Sequence, residues 1–228
     1  MLKIIKQISF LEYRQKVANK FLWLLLPLAG LIFLPSFVTG STSKDILIYA
    51  CLGMVLLAGV FILSETKQKL FGAVVLALIT LTLNMVSFSI SNQVLFLLRM
   101  VSLMLFFGWL LVFVFSSMAR TRRISENIIF GAVDGYLLLG ILGGFGFRII
   151  HFFYPGSFAM PAYLERKLDV FTYFSFVTLT NLGYGDISPL TPPSQAMALF
   201  LAISGQMYLA IIIGILVGKF ILFRSKSR

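Results

Sequence analysis

Six apolar runs divide the chain: Phe21 to Thr39, Ile46 to Leu63, Leu70 to Ile90, Val94 to Ser117, Asn127 to Phe152 and Ser194 to Phe223. An α-helix needs about 20 apolar residues to cross a bilayer, and these runs approach or exceed that length. Within hydrocarbon every backbone amide must find a partner inside the protein, which leaves helices and closed barrels as spanning structures. The connections GSTSKD, SETKQK, SNQ and ARTRRISE are short, so neighbouring helices should run antiparallel. The expected fold class is an all-α membrane protein with six transmembrane helices. Composition excludes the soluble alternative: 59% of the 228 residues are hydrophobic, 12% are charged, and the mean hydropathy is +0.98. A soluble domain carries about a quarter of its residues as charges.

Charge sets the expected orientation. Lys3, Lys6, Arg14, Lys16 and Lys20 precede the first run, Lys67 and Lys69 follow the second, and Arg120, Arg122 and Arg123 follow the fourth. Lys219, Arg224, Lys226 and Arg228 close the chain. With six spans these four regions share one side, which the positive-inside rule makes cytoplasmic. The opposite loops hold only Lys44, Arg166 and Lys167, with Arg148 near a span end. Both termini are therefore expected in the cytoplasm of a cell with a plasma (inner) membrane. The net charge of +11 needs no nucleic-acid partner, because basic flanks beside apolar spans are the usual membrane pattern. The N-terminus lacks a small-residue cleavage site, so the first run is read as a retained span. Ile4, Ile5, Ile8 and Leu11 share a helical face beside lysines, the pattern of an interfacial helix. The single cysteine, Cys51, lies in an apolar run and is expected to be a small buried residue.

The last connection, Phe153 to Pro193, is different. It is about 40 residues long and carries its own apolar stretch, LDVFTYFSFVTLT, from Leu168 to Thr180. That stretch is too short to span, and Asp169 suits its N-cap. NLGYGD follows at once. A short helix that enters the membrane and breaks into glycine-rich backbone cannot face lipid, because unsatisfied amides there cost several kcal/mol each. Such backbone is tolerated only where protein buries it or it lines water. The expectation is a re-entrant pore helix and loop between helices five and six.

The residues TLTNLGYGD resemble the selectivity filter of tetrameric potassium channels, whose pattern is T-V-G-Y-G. The resemblance covers span five to the end of the chain. It implies passive potassium conduction, with Thr180, Asn181, Leu182, Gly183, Tyr184 and Gly185 as the ion-binding filter. Potassium is then the only bound metal ion, a permeant species and not a cofactor. It also implies that Tyr184 packs outward on Tyr173 and Phe174, that Asp186 stands at the outer mouth, and that Gly205 is an inner-helix hinge. The family usually has threonine where Asn181 stands. An amide oxygen coordinates cations, but the side chain is longer and carries an NH2 donor. The innermost site is thus the one that Asn181 puts in question, and a weakly selective monovalent cation pore is the alternative.

One chain supplies one filter strand, so a homotetramer around one axis is expected. The final span would line the cavity, with Gly205, Gly214 and Gly218 permitting bending or close packing. Ile212 and Leu216 are candidates for an apolar gate, and plain helix packing explains them equally well. Span four holds only Arg99 besides the arginines at its end, too few for a strong voltage sensor. Asp134 in span five is a gating candidate, expected to contact the Arg120 to Arg123 cluster or to lie solvated near the interface. His151 is a candidate external pH sensor, and Asn84 is expected to bond another helix. The terminal cations suit anionic lipid headgroups. With five residues after Phe223, no cytoplasmic ligand-binding domain is expected.

The domain division that follows is 1–20 as an N-terminal segment, 21–126 as a four-helix peripheral domain, and 127–228 as the pore domain. Enzymatic function is not expected: one histidine, no nucleophile–histidine–acid set and no phosphate-binding glycine loop are present. A non-conducting subunit that borrows the pore fold is the other alternative.

Overall fold

The computed structural model describes residues 20–38, 40–64, 66–89, 92–120, 126–161 and 170–225, without the side chains at 41–42, 88–89, 216–217 and 219–225. The expected interfacial helix, the Asp169 cap and the Arg122–Arg123 pair lie outside the described residues. The helices are α1 (Leu22–Phe33), α2 (Ser41–Leu63), α3 (Lys67–Ser89), α4 (Gln93–Arg120), α5 (Glu126–Phe153), α6 (Val170–Leu179) and α7 (Pro192–Ser225). A two-stranded pair, β1 (Phe158–Ala159) and β2 (Ser188–Pro189), closes the loop between α5 and α7.

Among the described residues, five helices are long and apolar enough to cross a membrane: α2, α3, α4, α5 and α7. The first apolar run falls short of the span expected for it. It is α-helical for 12 residues and continues as a 3-10 turn over Leu34–Phe37. Pro35 is the physical reason. It has no N–H to donate to a carbonyl one turn earlier, so the α-helical ladder cannot continue through it although Leu34 itself stays in the α region.

Helix α5 is the hub. It packs on α1, α4, α6 and α7, while α2 and α3 extend the peripheral layer from α1 to α4. Met100, Leu103, Phe107, Leu110 and Val114 recur on α4 at helical spacing and are buried, and Leu138 and Ile141 of α5 lie in the same core. Cys51 is buried in the peripheral layer, as its apolar setting implies. Lys20 and Lys69 both sit over the Phe113 ring, at 5.2 and 5.7 Å, so two of the basic regions do share one end of the bundle.

The other face of α5 is built from small residues. A Cβ added at Gly140 would strike the Phe176 ring, one at Gly143 would strike Ser175 and Leu201, and one at Gly144 would stand 3.0 Å from the Thr172 backbone. This seam lets α6 lie directly against the α5 backbone, the close approach that small residues provide in membranes. Ser175 Oγ, buried, donates to the Gly140 carbonyl at 2.6 Å.

Candidate functional site

Helix α6 ends in a defined cap. The Asn181 N–H donates to the Thr178 carbonyl and the Leu182 N–H to the Val177 carbonyl, both at 3.0 Å, with Asn181 at φ +58°. This is the Schellman arrangement, with a left-handed residue just past the helix end. Asparagine is the non-glycine residue that occupies that position most readily. The unusual residue in the filter-like motif therefore has a backbone reason for being there. The Thr180 hydroxyl donates back to the Phe176 carbonyl at 2.7 Å, so its hydrogen is committed to the helix.

The cap also orients the next carbonyls. In a trans peptide the carbonyl of one residue points opposite to the N–H of the next, and the described chain has no cis bond. The N–H groups of Asn181, Leu182 and Gly183 all turn towards α6, the last at 3.4 Å from the Val177 carbonyl. The carbonyls of Thr180, Asn181 and Leu182 consequently all point away from α6, on one side of the chain. No backbone N–H among the described residues donates to any carbonyl from Thr180 to Gly185. Left-handed φ values recur at Gly183 (+57°) and Gly185 (+78°), whereas Leu182 and Tyr184 keep negative φ. Glycine adopts this conformation without steric cost.

Residues 180–185 are exposed, with Leu182 at 59% and Tyr184 at 67%. Tyr184 therefore does not reach the packed position expected for it within one chain. Phe174 instead packs on Phe147 and Phe158, at 4.7 and 5.7 Å between ring centres. The Tyr173 hydroxyl donates to Asp186 Oδ2 at 2.7 Å, joining the helix to the far end of the loop. Ile187 then turns inward and is buried in the same aromatic cluster. Behind it, the Leu190 N–H and the Ser194 hydroxyl both donate to the Ser157 carbonyl, at 2.8 and 2.9 Å. The loop is thus fastened at both ends, and its middle is left uncovered.

Helix α7 supports it from the other side. A Cβ at Gly205 would overlap the Leu179 carbonyl oxygen, so glycine is required there for contact with the end of α6. Added Cβ atoms at Gly214 and Gly218 would meet nothing within 4 Å. Ile212 is 7% exposed and belongs to the main core, so plain packing accounts for it. The Leu216 side chain lies outside the described residues.

Asp134 is not solvated. It is 0% exposed, and neither carboxylate oxygen has a hydrogen-bond partner among the described residues. Arg120 is exposed at the end of α4. The solvated alternative is overturned, because sequence gives the distance of Asp134 along the span but not the face it occupies; the rest of the Arg120 to Arg123 cluster lies outside the described residues. On either side of it, the Tyr208 hydroxyl of α7 donates to the Ala132 carbonyl and would be struck by a Cβ added at Gly135. Asn84 also departs from expectation, donating to the Thr80 carbonyl of its own helix at 2.7 Å. His151 packs on Phe171 at 5.2 Å, with Nδ1 buried and without a hydrogen-bond partner among the described residues. Tyr136, whose hydroxyl donates to the Leu179 carbonyl at 3.4 Å, Ser175, Tyr208 and the α5 glycine seam carry no mark in the motif itself. The spacing of Gly140, Gly143 and Gly144 is the one signal in sequence that points to close packing.

Residues 138–221 match a family model described as an ion channel. Curated proteins gave no match, and neither did solved structures. The matched segment begins inside α5 and runs through α6, the capped loop and most of α7. It supports an ion-channel function, and together with the five apolar helices it marks a multi-pass membrane protein.

Proposed function

We propose that the chain is one subunit of a homotetrameric channel that passes potassium through a filter made by residues Thr180 to Gly185. The observation that carries this reading is the row of three carbonyls, from Thr180, Asn181 and Leu182, all pointing away from α6 with no backbone donor to satisfy them. Carbonyl groups at membrane depth need a partner, and a dehydrated monovalent cation is one. A single chain provides one such row, with Leu182 and Tyr184 uncovered beside it. Four copies around an axis would cover those side chains and complete rings of carbonyls. The C-terminal end of α6 adds about half a negative charge directed at the same place.

The proposed orientation follows the charge rule: termini in the cytoplasm of a plasma (inner) membrane, Asp186 at the outer mouth. The peripheral domain is not a voltage sensor of the arginine-ladder type, since Arg99 is the one arginine of α4 before Arg120 at its end. Potassium is the permeant ion, and no cofactor takes part. Anionic lipids are proposed as partners of the terminal cations.

A second reading has its own support. Asn181 is held by its backbone role and its side chain is exposed, so no threonine hydroxyl contributes to the innermost site. The pore would then select weakly among monovalent cations.

The test is a planar-bilayer recording of the purified protein with potassium on one side and sodium on the other. A reversal near the potassium equilibrium value is expected. A reversal near zero with clear current would establish the weakly selective pore. Assembled oligomers that pass no current would overturn conduction and leave a regulatory subunit.

A further inference from the structure

The bundle holds a cavity of about 470 Å³ between the helices from α1 to α6. This is within the range of sites that hold small ligands, about 300–1,000 Å³. Its deeper wall is apolar, including Leu52, Leu103 and Ile141. Its polar groups gather at one end: Asp45 early in α2, Asn84 late in α3, Arg99 early in α4 and Arg148 late in α5. All four belong to the end of the bundle at which α5 gives way to the filter loop.

Arg99 is the group that asks for a ligand. It stands six residues inside α4, about 9 Å along the helix axis. Its guanidinium lies over the Phe96 ring at 5.8 Å and hydrogen-bonds to Tyr49. Among the described residues its buried Nε has no hydrogen-bond partner and the side chain makes no ion pair. A charge set this far into an apolar bundle is costly unless paired, and its partner is a functional question by default. The charged groups facing the cavity among the described residues are Arg99, Arg148 and Asp45.

We infer that this cavity binds an amphiphile with an anionic head on Arg99 and a single acyl chain along Leu103 and Ile141. A phospholipid that inserts one chain and a free fatty acid share that chemistry. The site reaches the filter, because Thr172, Tyr173 and Phe176 of α6 form part of the wall. Tyr173 is the residue that holds Asp186. Occupancy therefore presses on the helix whose end sets the filter carbonyls. This regulatory consequence rests on the channel reading, whereas the binding site does not.

Binding is measured first, on the full-length protein in vesicles of neutral phosphatidylcholine alone, with phosphatidylglycerol, or with oleate. After extraction, native mass spectrometry counts retained lipid. Wild type is expected to keep phosphatidylglycerol or oleate over phosphatidylcholine. Arg99→Gln is expected to weaken retention about tenfold and Arg99→Lys to preserve most of it. Leu103→Trp, which fills the cavity with the charge intact, is expected to abolish retention, and Ile141→Phe serves if that variant does not fold. Retention of phosphatidylglycerol alone identifies the phospholipid source, and retention of oleate alone the free acid. Equal retention of all three lipids, or retention unchanged in Arg99→Gln and in the filled variants, overturns the site. Potassium flux from the same vesicles then reports the regulatory step, so a silent pore and an empty cavity give different results.

Discussion

The Tyr173 hydroxyl and the Asp186 carboxylate meet at 2.7 Å across 13 residues of chain, bridging the front of α6 and the far end of the filter loop. Between them the loop has exposed side chains only, so this bond is one of few restraints on its outer half. A hydrogen bond to a carboxylate is worth about 1.5–3 kcal/mol, and less where water competes. Tyr173→Phe is expected to keep the fold and to shorten the conducting state in single-channel recordings. Asp186→Asn keeps an acceptor oxygen and should have the smaller effect. Equal and unaltered open times in both variants would remove this bond from the account of the pore.

Asn181 yields a prediction opposite to what the family pattern invites. Threonine is β-branched, and such residues are outliers at positive φ. Asn181→Thr is expected to cost about 1–2 kcal/mol in this cap, and Asn181→Gly close to nothing. Thermal unfolding in detergent with potassium present gives the ranking. A threonine variant as stable as wild type would mean that the loop adopts another conformation in the assembled protein.

Gly205 separates packing from hinge motion. Any side chain there must displace the Leu179 carbonyl at the end of α6. Gly205→Ala is expected to lower stability by about 1–3 kcal/mol, the usual cost of overpacking. A hinge alone would show altered opening with unaltered melting, so the two measurements taken together decide it.

Asp134 is buried with both oxygens unpartnered. An isolated buried carboxylate opposes folding, so Asp134→Leu and Asp134→Asn are expected to leave melting unchanged or raise it. A loss of about 3–5 kcal/mol would instead reveal a charged partner of the kind that buried ion pairs require.

How far these features are legible in sequence differs from one to the next. The filter loop is legible because glycines, a short aromatic helix and a basic-flank pattern coincide around Gly183 and Gly185. The stop at Phe33 is also written in the chain, as Pro35, yet run length alone extends the first span past it. The cap at Asn181 is harder. Asparagine just past an apolar run fits a left-handed helix end, but ion coordination is an equally good reason for an amide until hydrogen bonds to Thr178 and Val177 are seen. Asp134, Asn84 and Ile212 depend on which face of a helix meets which neighbour. In a membrane helix that is apolar all round, hydrophobic periodicity no longer marks the buried side.

The same cap has a mechanical consequence. Because the cap at Asn181 finishes α6 within the row of carbonyls from Thr180 to Leu182, no slack chain separates the helix from that row. A tilt or slide of α6 must be transmitted to the carbonyls of Thr180, Asn181 and Leu182 undiminished, as a crank turns the shaft to which it is keyed. In the proposed channel, the glycine seam of α5, which lets α6 bed against a bare backbone, therefore sets the mechanical tolerance of the pore.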